Sequence, residues 1–312
     1  MIIDIAVPTH NCARWFDEFM QSIMAQEHQD WRIVTCDDQS SDDTREHVAR
    51  WAQRLGGRMI ILPNEIGESL GPARSYNRIL QATTADWIML ADPDDIWKPE
   101  KMNISMAAMQ ALELEYGASR PTIIITDAEI IDDNSTLVAP SYWRWLRVKP
   151  DHVGRFHRLL MESPAISSTM TLNRAVLARA LPISGLYSSQ DWWLMLVACA
   201  FGKVSALSAV TVRHRRHGSN FSKMPLLASH QPMHYKIRSA RERLMFLLNK
   251  NRSIAAVFLA RFAEALTPPQ RRAAQSVIML AGSRALQRRV LIVRERLWFC
   301  HGLKNAALML LL

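Results

Sequence analysis

Cysteine is scarce: four stand in 312 residues, at Cys12, Cys36, Cys199 and Cys300, and no two form a CxxC pair. A disulfide framework or a cysteine zinc site is therefore not expected, and a reducing compartment fits. No stretch reaches the roughly 18–20 uninterrupted apolar residues that a membrane-spanning helix needs. The opening run Met1-Ile2-Ile3-Asp4-Ile5-Ala6-Val7-Pro8 is apolar but short, lacks a basic flank and is interrupted by Asp4. It reads as a first strand rather than a signal peptide. No GxGxxG turn follows it, which argues against a dinucleotide cofactor. There is no internal repeat and no low-complexity tract. Acid is nearly absent from one end. From Thr211 onward, 19 Lys/Arg face only Glu242, Glu264 and Glu295, a net +16 that leaves −7 for the rest of a chain whose total is +9. An acidic first part suits a bound divalent metal. A basic last part suits phosphates, nucleic acid or anionic lipid.

What is present is the composition of a globular chain, 49% hydrophobic and 21% charged, which sets it apart from disordered sequences. Strand and helix signals alternate over the first hundred residues. Ile2–Val7, Trp31–Cys36, Met59–Leu62 and Trp87–Leu90 read as strands. Arg14–Gln26, Thr44–Leu55 and Ala73–Gln81 read as helices between them, and Pro99 opens another. Such βα units predict a mostly parallel sheet flanked by helices. Thr122–Thr126 and Lys203–Val212 are further strands, Asp132–Ser135 a turn and Asp191–Phe201 an apolar helix. From about Gln231 only helix patterns remain, broken at Pro268-Pro269. The composition shift divides the chain into an α/β domain, 1–222, and a basic amphipathic helical region, 223–312.

Ligands of open α/β sheets sit at the carboxyl ends of the strands. Three acidic groups are expected there: Asp37/Asp38, Asp92/Asp94/Asp95, and Asp127 after the fifth strand. Converging carboxylates repel, and a cation bridging them to phosphate removes that cost, with Mg²⁺ using one or two carboxylates plus phosphate oxygens. Asp42 and Asp43 read instead as helix-capping acids. For Asp92-Pro93-Asp94-Asp95, placed after an apolar strand, metal binding is the favoured reading.

The segments Val7-Pro8-Thr9-His10-Asn11, Cys36-Asp37-Asp38 through Thr44, Gly71-Pro72-Ala73-Arg74-Ser75-Tyr76-Asn77 and Leu90-Ala91-Asp92-Pro93-Asp94-Asp95-Ile96-Trp97 together resemble family 2 glycosyltransferases of the GT-A fold. Gln190-Asp191-Trp192-Trp193-Leu194 and Arg216-His217-Gly218-Ser219-Asn220 resemble the bacterial rhamnosyltransferase-like subgroup, whose members build surface polysaccharide. These motifs in the family's order carry more than any one alone. The resemblance covers about residues 1–222 and implies an inverting, metal-dependent transfer of a sugar, rhamnose or another deoxyhexose. The donor would be a nucleotide-diphosphate-sugar and the acceptor a hydroxyl of a glycan or lipid-linked molecule. Residue by residue, it implies that Thr9 and Asn11 line the nucleotide pocket, that Asp38 with Asp37 holds the base, and that Arg74 and Arg216 approach the diphosphate. Asp92 and Asp94 would hold ribose and a Mn²⁺ or Mg²⁺ ion, His217 would be a third metal contact or a diphosphate contact, and Asp191 the general base. At the start of an apolar helix Asp191 is also a plain helix cap on position alone. The sequence departs from the pattern at Gln190, where relatives carry an acid, at His10, where many carry an aromatic, and at Ile166–Met170, where many carry Gly.

Other residues divide between chemistry and packing. Trp15, Trp31, Trp51 and Trp87 read as core, whereas Trp143, Trp145, Trp192 and Trp193 are candidates for either sugar stacking or packing. Arg213, Arg215 and Arg216 are assigned to the diphosphate side, and His214 and His230 to a basic surface. The segments Arg288–Phe299 and Ala306–Leu312 mix basic and apolar residues. They predict peripheral association with an anionic membrane, at the inner face of the cell membrane of a cytoplasmic protein, with Trp298, Phe299 and Leu308–Leu312 inserting. Packing on the catalytic domain or in a homodimer is the competing reading. Two other functions are weighed: a non-catalytic nucleotide-sugar-binding scaffold of the same fold, and a nucleic-acid-binding protein. The charge is not interleaved with an aromatic platform or a reading motif, so no nucleic-acid partner is expected.

Overall fold

The computed structural model describes residues 1–63, 69–148, 150–183, 190–218, 233–299 and 302–311. They form two compact units, Met1–Trp145 with Ala165–Arg216, and Leu146–Pro164 with His217–Leu312. In chain order the elements are β1 (Ile3–Thr9), α1 (Ala13–Met24), β2 (Trp31–Asp37), α2 (Thr44–Leu55), β3 (Met59–Leu62), α3 (Pro72–Ala82), β4 (Trp87–Leu90) and β5 (Ile96–Trp97). Then come α4 (Lys101–Tyr116), β6 (Thr122–Ile131), β7 (Leu137–Ala139), α5 (Tyr142–Trp145) and α6 (Phe156–Leu159). The chain continues through β8 (Met170–Asn173), α7 (Arg174–Ala180), α8 (Gln190–Phe201) and β9 (Lys203–Arg215) to α9 (Met233–Phe262), α10 (Pro268–Leu280), α11 (Ala285–Arg294) and α12 (Gly302–Leu311).

All strands lie in the first unit and join one sheet in the order β3-β2-β1-β4-β8-β6-β9-β5, with β7 on β6. The long ladders, β1 with β2 and β6 with β9, are parallel, as are β1 with β4 and β2 with β3. The short ladders through β5, β7 and β8 are antiparallel. β1 is central, so Ile3, Ile5 and Val7 are buried among Phe16, Phe19, Met20 and Ile23 of α1 and Val48 and Trp51 of α2. A parallel strand covered on both faces reads as a near-continuous apolar run, which is the pattern of β1. Asp4 inside that run is held by two bonds from the Arg32 guanidinium at 2.9 and 3.0 Å and by the backbone N–H groups of Thr84 and Ala85. It fastens the entry to β4 rather than facing ligand.

Several sequence expectations change here. α4 starts two residues after Pro99, because a turn closed by the Lys101 N–H on the Lys98 carbonyl at 3.0 Å comes first, and before it the chain forms the two-residue strand β5, which pairs with β9. β6 runs on past Thr126 to Ile131, so Asp127 lies within a strand, at a register shift against β9, and not at a strand end. Its carboxylate accepts hydrogen bonds from Ser141 Oγ and from the Trp143 backbone at 3.1 Å, which anchors α5. β9 likewise extends to Arg215, drawing the start of the basic segment into the sheet.

The second unit is helical among the described residues. Phe258 of α9 packs against Phe156 of α6 and Phe262, with ring centroids 5.5 and 4.9 Å apart. Ala274, Val277 and Leu280 of α10 and Ile292 of α11 are fully buried. Thr267 and Gln270 form a capping box that starts α10 at Pro268. Phe299 and Leu308 are 1% and 0% exposed, so they belong to this unit's core and do not insert into a membrane as expected from the sequence.

Candidate active site

After β1 the chain moves outward through β2 and β3 and returns to β4 on the other side of β1. That reversal is where an open α/β sheet binds ligands, and it brings the carboxyl ends of β1, β2 and β4 together. Thr9 ends β1 in register with Asp37. The Asp38 N–H donates to the Thr9 carbonyl at 2.8 Å, and the Ala91 N–H to that of Ala6 at 3.0 Å, which delivers Asp92 to the same edge.

Each residue at this edge has defined work. Thr9 is buried, and its hydroxyl donates to Asp37 Oδ1 at 3.2 Å. Asp37 also accepts from the Ser40 N–H at 3.0 Å and Arg45 Nε at 2.8 Å, so its oxygens hold the following turn. Asn11 has φ +48°, a left-handed conformation Asn tolerates, and its Oδ1 accepts from the Ser41 N–H at 2.8 Å, lacing the two loops together. Asp38 is buried. It accepts from Ser69 Oγ at 3.0 Å, the Gly71 N–H at 2.8 Å and the Leu70 N–H. A carboxylate offers about four acceptor positions, so one remains. These bonds fix Gly71 at the α3 cap with φ +74°, where a side chain would be strained, and Pro72 then starts the helix. α3 presents Arg74 at the surface and Tyr76 inward.

The Tyr76 hydroxyl lies 2.9 Å from the Ala91 carbonyl and 3.0 Å from Asp92 Oδ1, one proton serving two acceptors. Burial and the charges of Asp95 and Asp94 push the Asp92 carboxyl up to about 8, against the opposing pull of His214 and Tyr76. Asp95 is fully buried, with oxygens that accept from His214 Nδ1 at 3.0 Å, the Arg215 N–H at 2.9 Å and Ser168 Oγ. It ties β9 and the short turn Ser167–Thr169 to the acidic loop. His214 is therefore not a surface residue. Burial opposes its charge, but the carboxylates of Asp95, Asp94 and Asp92 outweigh burial and raise its pKa. Arg215 also departs from expectation. Its fully buried guanidinium donates to the carbonyls of Asp94, Asp132 and Asp133, to Ser135 Oγ and to Glu18, so it holds loops together inside the unit rather than lying open at the surface. Arg213 pairs with Glu129 at 3.5 Å and donates to the Ser135 carbonyl at 2.8 Å.

Asp191 is the second residue of α8 and partly exposed, and its Oδ1 accepts from the Trp192 N–H at 2.7 Å. Burial, the neighbouring Asp92 and the charge of Asp191 all raise the Tyr76 phenol, while a hydrogen bond with Ser167 lowers it. Asp92 and Asp191 thus both lie within electrostatic reach of one hydroxyl. Gln190 Nε2 donates to Ser167 Oγ at 3.2 Å, which completes a line Gln190–Ser167–Tyr76–Asp92. Tyr76 and Ser167 were not singled out from the sequence. Only the helical spacing Ala73, Tyr76, Leu80 marks Tyr76 as inward-facing. Trp193 is fully buried and donates to the Ala180 carbonyl at 3.0 Å, and Trp143 and Trp192 are buried, so these three pack rather than stack on a sugar. Arg216 is buried, with its N–H on the Ile131 carbonyl at 2.8 Å, and closes the first unit. His217 belongs to the second unit, whereas Asp92 and Asp94 belong to the first. Ser219, Asn220 and His230 lie outside the described residues.

The acidic loop suits a cation. Among the described residues no three His, Cys, Asp or Glu side chains converge as a metal cage. Mg²⁺ bound through one or two carboxylates and substrate phosphates needs no such cage, and Asp94 and Asp95 lie close enough to Asp92 to add to the effect of burial on its carboxyl.

Comparison with known proteins bears on this geometry. The model described as glycosyl transferase family 2 matches residues 4–177. The chain is 31% identical over 144 residues to the Escherichia coli UDP-Glc:alpha-D-GlcNAc-diphosphoundecaprenol beta-1,3-glucosyltransferase WfgD, covering 45% of this chain and 51% of that protein. It is 25% identical over 191 residues to the abequosyltransferase RfbV of Salmonella typhimurium, 60% of this chain and 50% of the relative. The chain therefore spans about half the length of these relatives. In fold it is similar to Staphylococcus aureus TarS 1-349 in complex with UDP-GlcNAc, with a TM-score of 0.57 at 16% identity over 100% of this chain and 90% of that one. It is also similar to the mannosyltransferase PcManGT of Pyrobaculum calidifontis in complex with GDP-Man and Mn²⁺, with a TM-score of 0.51 at 15% identity over 98% and 84%. The sheet and its flanking helices are those of the GT-A fold.

Proposed function

The chain belongs to glycosyl transferase family 2, and from that premise we propose that it is an inverting, metal-dependent glycosyltransferase. It moves a sugar from a nucleotide-diphosphate donor to a hydroxyl of a glycan or lipid-linked acceptor in surface polysaccharide synthesis. The observation that carries this reading is that Asp92 at the end of β4, hydrogen-bonded to the Tyr76 hydroxyl, and Asp191 on α8 both lie within electrostatic reach of that hydroxyl. One side can hold a diphosphate and the other a base. The segments Gln190–Leu194 and Arg216–Asn220 favour rhamnose or another deoxyhexose as the transferred sugar.

In this reading Thr9, Asn11 and the remaining acceptor position of Asp38 receive the nucleoside, Asp37 holds the turn beneath it, and Arg74 and Arg216 lie towards the diphosphate. Asp94, with Asp92, would hold Mn²⁺ or Mg²⁺. The cation supplies charge neutralisation for the leaving diphosphate. Asp191 takes the proton of the acceptor hydroxyl as that oxygen bonds to the anomeric carbon from the face opposite the diphosphate. The bond from that carbon to the phosphate oxygen breaks with its electron pair, which inverts the configuration.

Two variants test the assignment in product-forming assays with purified nucleotide-sugars. Asp191→Asn should lose roughly 10²–10⁴-fold in kcat while donor affinity stays near the parent value. Asp94→Ala should lose the metal-dependent part of nucleoside-diphosphate binding, and excess chelator should abolish transfer in the parent until Mn²⁺ or Mg²⁺ is restored. Undiminished turnover in chelator, or parent-rate transfer by Asp191→Asn, would overturn the corresponding role.

A further inference from the structure

α11 divides into two faces. Arg288, Leu291 and Ile292 are buried, and Arg288 donates to the Leu280 carbonyl at 2.9 Å and the Ser283 carbonyl at 2.8 Å, which seats that face on its own unit. On the other side Leu286, Val290 and Val293 are 74%, 53% and 57% exposed. Their spacing of four and then three residues places them in one line along the helix. Arg289 and Arg294 flank that line, Arg284 and Arg296 stand at its ends, and all four are exposed. The one acid nearby, Glu295, is paired with Arg294 at 2.8 Å.

We infer that this face of α11 is a docking surface for an anionic lipid bilayer, with Leu286, Val290 and Val293 entering the headgroup boundary and the arginines meeting lipid phosphates. The apolar line and its flanking cations match a helix lying in the plane of a membrane surface. A second copy of the chain would bring the same arginines opposite one another, and like charges across an interface oppose association. Nucleic acid would use the arginines but leave the apolar line in water. From Gly218 onward 16 Lys/Arg stand against three Glu, an excess that favours an anionic partner. No helix among the described residues is long and apolar enough to cross a membrane, so the contact is at the surface. The inference stands apart from the proposed reaction and uses none of its residues.

The test is flotation of the full-length chain with phosphatidylglycerol-containing vesicles and with phosphatidylcholine vesicles, at low and high salt. The parent should float with the anionic vesicles at low salt, weakly with neutral ones, and be largely released at high salt. A Leu286→Gln, Val290→Gln, Val293→Gln variant and a separate Arg289→Gln, Arg294→Gln variant should each partition at least tenfold less. Both should keep the parent's thermal transition and its binding of uridine or guanosine diphosphate with Mn²⁺, since the altered side chains are exposed. A parent that stays at the bottom of the gradient, or a triple variant that floats as well as the parent, overturns the assignment. So does a parent that sediments as a dimer while the triple variant is a monomer, because the face would then pair with itself.

Discussion

Lys101 is fully buried at the start of α4, its Nζ lies 4.6 Å from the Trp97 ring centre, and among the described residues that nitrogen has no hydrogen-bond acceptor. Burial drives its pKa from 10.5 down to about 7, against the favourable charge of Asp95. Between those two values the unfolded chain binds the proton and the folded chain does not, so stability rises with pH across that window, by up to ~1.4 kcal/mol per pH unit. Lys101→Met should therefore be more stable than the parent at pH 7, with an advantage that shrinks by pH 9. Urea unfolding at the two pH values checks this, and parallel profiles would show that the ammonium is not penalised. His214 teaches the complementary lesson about reading a sequence. In an Arg-rich stretch it reads as surface. Its partner Asp95 is 119 residues away, and no local pattern announces that pair. Asp92 and Asp94 were legible because they directly follow an apolar strand, at the edge where an α/β sheet binds its ligands. Tyr76 stands inside the Gly71–Asn77 segment, but only its helical spacing marks it as inward-facing.

At the scale of elements, Met59–Leu62 and Trp87–Leu90 are strands with the limits their β-rich runs predict, and α2 spans the expected Thr44–Leu55. β5, β7 and β8 were not legible. Each has two to four residues; β7 forms only as the return strand of the hairpin with β6, while β5 and β8 exist only because distant neighbours pair with them, β9 for β5 and both β4 and β6 for β8. Arg215 shows how such non-local structure is secured. At the end of β9 it satisfies the carbonyls of the acidic loop and of the β6–β7 turn together. Arg215→Met should destabilise on the order of 3 kcal/mol, because buried carbonyls left without donors cost ~1–3 kcal/mol each and some regain water. Arg14→Ala breaks an exposed 3.8 Å pair with Asp133 beside the same turn and should change stability by under ~1 kcal/mol. Chemical denaturation of the two variants separates them, and equal losses would mean that the buried guanidinium does not organise the turn.

For the molecule as a whole, the alternation of strand and helix signals was enough to give an α/β sheet. It was not enough to give the order β3-β2-β1-β4, on which the site depends. That order puts Thr9, Asp38 and Asp92 side by side although they lie on three separate strand ends, and a ligand spanning them cross-links the first unit. A ligand that binds only the folded state adds ~2.7 kcal/mol at a hundred times its Kd. For a unit of this size that corresponds to a rise of roughly 5–10 °C in the melting temperature. Burial first, and then the charges of Asp95 and Asp94, raise the Asp92 carboxyl; a diphosphate brought there alone would add like charge, and a cation between them would offset it. A panel of uridine, thymidine and guanosine diphosphate sugars should therefore give its largest shift with one base, and only when Mn²⁺ or Mg²⁺ is present. Asp94→Ala should lose most of that shift while melting near the parent temperature without ligand. Equal shifts in chelator and in Mn²⁺ would show that the donor is held by the loops of β1 and β2 and α3 alone, and that the acidic loop serves the fold through Asp95 rather than the diphosphate.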